Sequence, residues 1–473
     1  MEPTREQAYQ RRIAELEAEV ASLKAEVTRL TELVAKLLKN SSNSSKPPSS
    51  DIVKPPNRNT SKTGNRRKKK RKIGGQPGHP KHEREPFTSE EIDDTRRYEL
   101  SCCPDCGGAV RPRRKKTRVV QQVELIEKPV EIVEHRAEGC WCRRCRKVVY
   151  ALLPATVQRA GLVGPELTAL VGFLRGVCHA SFSTIRKYLR DVLKIRISRG
   201  QLVKVLQKVS AALAPAYEEL WASLPSEPRL NVDETGHKNN GKAYWTWCFR
   251  AELYTIFKID PSRSSSVLID ALGEEFNGVL GCDYFSAYRK YMKDFGVELQ
   301  FCLAHLIRDV KFIIGLPGQR VQAYGERLLD AIRKMFGIIH RRERLTAKGF
   351  QRALENARTD VINAALWVPR KCKHAQNLAE RFRKHGDAYF RFITTPGVEP
   401  TNNLAEQAIR FVVIDRKITQ GTRSETGQRC SERIWTVVAT CQQQGRSVLK
   451  YLSEAVNAHF HGQPIPSLLP AGP

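Results

Sequence analysis

Arg229-Leu230-Asn231-Val232-Asp233 is an apolar run closed by a carboxylate, and it reads as a buried strand. Gly278-Val279-Leu280-Gly281-Cys282-Asp283 repeats the pattern, placing a second acid at the end of a second strand. Pro400-Thr401-Asn402-Asn403 then precedes a helix whose opening turn carries Glu406. Three acids at the ends of core elements can hold divalent cations, which polarise phosphates and activate water or a 3′-hydroxyl.

Working outward, strand-like segments fall at 230–233, 243–250 and 254–259, a helix at 264–275, and further strands at 279–283 and 297–303. A three-strand meander, helix, strand, helix, strand is the order of a ribonuclease-H-like sheet. The expected catalytic domain is therefore 228–304 with 395–430, interrupted by a charged helical insertion at 305–394 and followed by a helical segment at 431–473. The whole reads as a multidomain α/β protein.

The 473 residues exceed what a single core usually holds. Lysine and arginine number 80 against 50 acids, a net charge of +30. That balance favours a polyanionic partner through counterion release. A membrane surface is the competing partner, but neither a signal peptide nor a long uncharged apolar span is visible. The expectation is a soluble intracellular protein with a polyanionic partner such as DNA and no membrane role. Thirteen cysteines without a secretory signal point to metal ligation rather than a disulfide framework.

Residues 1–40 form a coiled-coil pattern. Ile13, Val20, Val27 and Val34 occupy a positions and Leu16, Leu23, Leu30 and Leu37 occupy d positions. β-Branched a with leucine d favours a parallel two-stranded coil, and Arg12 with Glu17 and Glu19 with Lys24 add attraction between helices. The alternative is one amphipathic helix docked on the body. A linker at 41–97 follows, with seven consecutive cations at Arg66, Arg67, Lys68, Lys69, Lys70, Arg71 and Lys72. Such a run cannot pack, and it suits an electrostatic DNA tether that carries no sequence information.

Residues 98–155 carry Cys103-Pro104-Asp105-Cys106 and Cys142-Arg143-Arg144-Cys145. Each pair can form a knuckle, and Cys103, Cys106, Cys142 and Cys145 would close a tetrahedral structural zinc site. Val123, Leu125, Val130 and Ile132 around Glu127-Lys128-Pro129 read as a hairpin between them, completing a zinc ribbon. Cys102, Cys140 and His135 leave the ligand assignment open.

Across 160–225 the period is helical. Leu167, Leu170, Val171, Leu174 and Val177 mark one helix, and Ile185, Tyr188, Leu189, Val192 and Leu193 another. Ser198-Arg199-Gly200-Gln201 reads as a capping box opening a third, bearing Lys204 and Lys208. Three short helices suit a helix-turn-helix, with Arg199, Lys204 and Lys208 toward DNA. An ordinary helical bundle linking two domains is the alternative.

Taken together the chain resembles a DDE transposase of the insertion-sequence-66 family, over nearly its whole length. The resemblance rests on Asn43-Ser44-Ser45-Lys46-Pro47-Pro48-Ser49-Ser50-Asp51, Gly75-Gln76-Pro77-Gly78-His79 and the ribbon cysteines. Val232-Asp233-Glu234-Thr235, Cys302-Leu303-Ala304-His305 and Thr401-Asn402-Asn403-Leu404-Ala405-Glu406 carry it through the core, in order. Pro80 and Lys81 depart from the glycine often expected there, which leaves the core untouched. The resemblance implies Asp233, Asp283 and Glu406 as the catalytic triad, magnesium dependence, a bacterial mobile element and helper proteins encoded beside it. Its DNA partners would be element ends and a target, bound by a homodimer or higher oligomer.

The chemistry expected is in-line displacement at phosphorus with two magnesium or manganese ions, Asp233 bridging both while Asp283 and Glu406 complete one shell each. Water would free a 3′-hydroxyl, which then attacks a target phosphodiester. Each acid has a plainer reading. Glu406 stands three residues after Asn403, the spacing of a capping box, Asp283 could cap a helix, and Glu234 competes with Asp233. Alternation along a strand sends Glu234 to the opposite face.

Arg410, one turn beyond Glu406, and Lys417 are candidate phosphate ligands, Lys417 equally a solvated cation. Cys302 and His305 offer too few ligands for another metal site, so His305 reads as a core or DNA-proximal residue. Trp245, Trp247 and Trp367 read as core, Trp367 with the option of meeting a distorted base. The rival functions are a non-catalytic zinc-ribbon and helix-turn-helix regulator, and a nuclease with the same core but no joining step.

Overall fold

The computed structural model describes residues 5–37, 86–95, 106, 121, 129–137, 139–142, 144, 146–369 and 372–469. It divides into two compact units, 1–57 with 135–473, and 58–134. In the smaller unit the described chain includes a 3-10 turn at Ser89–Glu91, closed by a reciprocal box between Thr88 and Glu91. There Gln121 also exchanges hydrogen bonds with the backbone of Phe87. Val130 and Ile132 lie in irregular chain rather than in the expected hairpin, and Val123, Leu125, Glu127 and Lys128 lie outside the described residues.

The larger unit begins with α1 (Arg5–Leu37), one continuous 33-residue helix. Its eight a and d side chains are all exposed. A two-stranded hairpin of β1 (Gly139–Cys142) and β2 (Lys147–Tyr150) follows, registered Gly139 to Tyr150. Cys142 is thus the last residue of β1.

Helices α2 (Ala155–Ala160), α3 (Pro165–Gly176), α4 (Phe182–Asp191) and α5 (Arg199–Ser223) come next. The expected start of α5 holds, because the Ser198 hydroxyl accepts from Gln201 N at 3.0 Å. Its length does not. The helix runs 25 residues, through Pro215, and buries Leu202, Val205, Leu206, Val209 and Leu213. That apolar stripe packs on α3 and on two C-terminal helices, so α5 is a spine of the body rather than a short reading helix.

Strands β3 (Arg229–Asn239), β4 (Lys242–Arg250) and β5 (Thr255–Asp260) form an antiparallel meander. Asn240 and Gly241, with φ of 49° and 79°, turn β3 into β4, the left-handed pair that a two-residue hairpin requires. After α6 (Ser266–Leu272), β6 (Val279–Cys282) pairs parallel to β3, and after α7 (Ser286–Phe295), β7 (Glu298–Phe301) pairs parallel to β6. The resulting order is β5-β4-β3-β6-β7. Element order follows the sequence reading, with one correction. Asp233 does not end its strand, because pairing with β4 carries β3 on to Asn239. What ends near Asp233 is the parallel side, whose last pair is Asn231 with Gly281.

The stretch 303–394 is mostly helical. It contains α8 (Leu303–Ile314), α9 (Gln319–Ile339), α10 (Ala347–Leu366), α11 (Lys373–His385) and the single turn α12 (Arg391–Thr394). Trp367 is no core residue. It is 74% exposed, with the Arg327 guanidinium 4.1 Å above its ring. Trp247, in contrast, is fully buried, with its ring 6.1 Å from Tyr288.

Three helices close the chain, α13 (Asn403–Thr419), α14 (Glu425–Gln443) and α15 (Val448–His461). One face of the sheet meets α13 and α14 through Cys248, Phe257, Ile259, Ala405, Ile409, Val412, Val413 and Trp435. Helix α14 also satisfies the free edge of β5. The amides of Thr255, Phe257 and Ile259 donate to Thr440 Oγ1, Thr436 Oγ1 and Glu432 Oε1. Acceptors at i, i+4 and i+8 of a helix match alternate residues of a strand, and the edge is closed to further pairing.

Candidate active site

The alternation of β3 sorts its two acids. Asp233 stands opposite Cys248, on the face covered by α13, and Glu234 opposite Trp247, on the other. Glu234 is accordingly occupied. Arg263 donates to its Oε1 at 2.9 and 2.6 Å, and the Tyr288 hydroxyl donates to Oε2. Burial lifts the Glu234 acid to about 7, with the charge of Asp283 acting the same way.

Asp233 keeps a freer carboxylate, in which Oδ1 accepts from the neighbouring Glu234 amide at 2.9 Å. Burial holds this acid well above the ordinary carboxylate value, and the charges of Glu234, Asp283 and Glu406 push it the same way. Asp283 follows the last residue of β6, and its Oδ1 accepts from the Phe285 amide at 2.9 Å, tightening the turn into α7. Burial raises this acid too, against the opposing pull of His305, the Phe285 amide and Arg263.

Glu406 lies in the first turn of α13. The capping-box reading fails there. The N-cap is Asn402, not Asn403, and its side chain makes no cap bond. Instead Asn402 Nδ2 donates to Val232 O at 2.8 Å, Asn402 Oδ1 accepts from Asn231 Nδ2 at 2.9 Å, and Asn402 N donates to Cys302 Sγ at 3.1 Å. One buried side chain therefore ties the start of α13 to the strand residue before Asp233. Gly281 makes room for this arrangement, since a Cβ there would meet Asn231 Nδ2 at 2.5 Å.

The Glu406 carboxylate faces α8. Its Oε2 accepts from Arg308 Nη2 at 3.3 Å, and its Oε1 lies 3.5 Å from His305 Nδ1. Cys302, His305 and Glu406 bring ligand atoms within 4.8 Å of one another. Burial pushes the Cys302 thiol up to about 11, against backbone N–H groups of Asn402, His305 and Ala304. Burial lowers His305, with Glu406 opposing. Beside Asp283 opens a cavity of about 240 Å³ lined by Tyr284, Phe301, His305, Asp309, Arg381 and Tyr389.

The charges of Asp283 and Glu406 both bear on the half-buried Asp233, although among the described residues the ligand atoms gathered within 4.8 Å are those of Cys302, His305 and Glu406 rather than of the three acids; each acid offers only acceptor oxygens. That donor set fits hard divalent cations, which would relieve the repulsion. The sequence had offered Cys302 and His305 as a pair, and the third member arrives from a helix 100 residues later. Asn402 and Arg263 carried no sequence signal as organisers, because their roles depend on strands and helices meeting.

The other candidate residues are distributed as follows. Arg199, Lys204, Arg410 and Lys417 are exposed. Lys208 is half-buried and engaged, donating to Ala160 O at 2.8 Å beneath the Phe460 ring. Arg416, not singled out from sequence, donates to Thr235 Oγ1 at 3.2 Å. Cys106 is exposed. The side chain of Cys142, together with Cys103, Cys145 and the run Arg66, Arg67, Lys68, Lys69, Lys70, Arg71 and Lys72, lies outside the described residues. Among the described residues no helix is long and apolar enough to cross a membrane.

The pattern of the transposase IS66 family matches residues 160–430, which contain all three acids. A family of unknown function, DUF6444, matches residues 1–85. The uncharacterized protein y4qI of Sinorhizobium fredii (strain NBRC 101917 / NGR234) is 23% identical over 441 residues, covering 85% of this chain and 79% of its own. The uncharacterized protein y4hP of the same strain is 22% identical over 383 residues, covering 72% and 67%.

Proposed function

The chain belongs to the transposase IS66 family, and on that footing we propose that it cleaves DNA at the ends of a bacterial insertion sequence and joins them to target DNA. The observation that supports this reading is the half-buried Asp233, on which the charges of Asp283 and Glu406 both act, on a five-stranded sheet whose strand order suits a ribonuclease-H-like core. Asp233, Asp283 and Glu406 would hold two magnesium or manganese ions, which when bound neutralise the phosphate and activate the attacking oxygen. His305 and Arg308 orient the Glu406 carboxylate from α8, and Asn402 fixes its helix against β3. Water first, and a freed 3′-hydroxyl next, can use the same place because only the nucleophile changes. No tyrosine or serine nucleophile is required.

The remaining parts serve DNA handling. In this reading Cys103, Cys106, Cys142 and Cys145 hold one structural zinc. The basic run 66–72 tethers DNA, and Arg199, Lys204, Arg410 and Lys417 contact it. A continuous α1 with an exposed heptad stripe supports a parallel homodimer, which paired element ends require. Helper proteins of the same element and a cytoplasmic, nucleoid-associated site of action complete the proposal.

The test is direct. Purified protein, magnesium and a labelled element-end duplex are expected to give 3′-end nicks and joined product, both lost in Asp233→Ala. Nicks that never proceed to joining would indicate a nuclease, and tight binding without cleavage a regulator.

A further inference from the structure

Cys302 is the N-cap of α8, and its sulfur is buried. The Asn402 amide donates to that sulfur at 3.1 Å. A bound cation would displace the thiol proton, since a coordinating thiol is deprotonated outright. His305 is three residues on, on the same face of α8. Its Nδ1 has no hydrogen-bond partner, and neither has Glu406 Oε1, 3.5 Å away. Side chains carrying two orphaned atoms and the Cys302 sulfur therefore bring ligand atoms within 4.8 Å of one another.

We propose that Cys302, His305 and Glu406 form a binding site for a soft divalent cation of the zinc type, sharing only Glu406 with the magnesium site. A tetrahedral shell with one thiolate and one imidazole puts neighbouring ligand atoms roughly 3.5 Å apart, so the cluster closes by about 1 Å on binding. Thiolate and imidazole select zinc or cobalt over magnesium. Three protein ligands leave a fourth position for water or a phosphate oxygen. Arg308 holds the other carboxylate oxygen, Oε2, and so orients Glu406 with Oε1 turned toward the cluster. A cation on His305 Nδ1 places the ring proton on Nε2, so the 3.3 Å contact from Arg308 Nη1 to Nε2 is released while the Glu406 contact remains.

The consequence for activity rests on the catalytic reading above. Glu406 is shared, so a soft cation bound here draws that carboxylate away from the magnesium pair and inhibits the enzyme.

The experiment uses the full chain and cobalt(II) alone as the probe. Equilibrium dialysis and near-ultraviolet thiolate-to-cobalt absorption are compared for wild type, Cys302→Ser and His305→Gln, with melting temperatures as the folding control. The expected result is one cobalt fewer per chain in each variant, and weaker charge-transfer absorption in Cys302→Ser, in folded proteins. Equal cobalt stoichiometry and an unchanged band in folded Cys302→Ser would overturn the site. If the serine variant instead misfolds, His305→Gln alone decides by the same stoichiometry. Zinc added to magnesium-supported cleavage is expected to inhibit wild type at least tenfold more strongly than Cys302→Ser. Loss of the cobalt without any change in zinc inhibition would leave the site standing and sink the catalytic role given to Glu406.

Discussion

The side-chain amide of Asn402 donates to the backbone carbonyl of Val232 across 2.8 Å of buried interior. Asp233 follows Val232 directly and Glu406 lies one helical turn beyond Asn402, so this bond sets the spacing of two proposed cation ligands. Asn402→Ala strands the carbonyl and the Asn231 amide, a loss of about 1–3 kcal/mol. Urea unfolding should show that loss, and cleavage should need more magnesium. An unaltered midpoint together with an unaltered magnesium requirement would remove the role assigned to Asn402.

Thr436 supplies the acceptor for the Phe257 amide on the outer edge of β5. Thr436→Val keeps the volume and deletes the acceptor, so stability should fall by about 1–3 kcal/mol. Hydrogen exchange of the Phe257 amide should accelerate more than that of its neighbours. Equal protection in both proteins would show that the edge is closed by packing alone.

Arg263 faces a Glu234 whose side chain is 1% exposed. Its guanidinium is held 4.4 Å from the Trp245 ring and 3.9 Å from that of Phe285. Arg263→Met leaves a buried carboxylate without its cation and should destabilise by about 3 kcal/mol. Adding Glu234→Gln should restore most of the loss. A double variant no more stable than Arg263→Met would mean that the stacking, not the charge, is what matters.

His237 is buried with Nε2 on Thr422 Oγ1 at 3.1 Å, and burial lowers it from 6.5 to about 4. The unfolded chain therefore binds more protons than the folded one between those values, and stability rises with pH there. The contribution is complete above 6.5 and is lost as pH falls toward 4. His237→Gln should flatten the stability profile across that window. Identical slopes in the two proteins would place the acid sensitivity elsewhere.

The exposed stripe of α1 is expected to hold a second chain. Leu16→Glu with Leu23→Glu puts charge at two d positions and should convert the sedimenting species from dimer to monomer. The folded body should melt unchanged. A wild-type monomer at the same concentrations would assign α1 to another partner.

Local pattern carried much of this architecture. Alternating apolar strands ending near acids, a heptad stripe and a serine cap are short-range signals, and β3, β6, α1 and the start of α5 appear where those signals put them. Period alone could not say how far an element continues. β3 runs past Asp233 because β4 folds back to pair with it, and α5 reaches 25 residues because α14 and α15 cover its apolar stripe.

The sequence by itself determined the element order, the basic balance and the three acids, because each is written in composition or in neighbours a few residues apart. Only the tertiary structure decided which face each acid takes, that Glu234 is spent on Arg263 and Tyr288, and that Glu406 meets Cys302 and His305. Those outcomes depend on side chains more than 25 and as many as 104 positions apart packing together, and burial then fixes their charge.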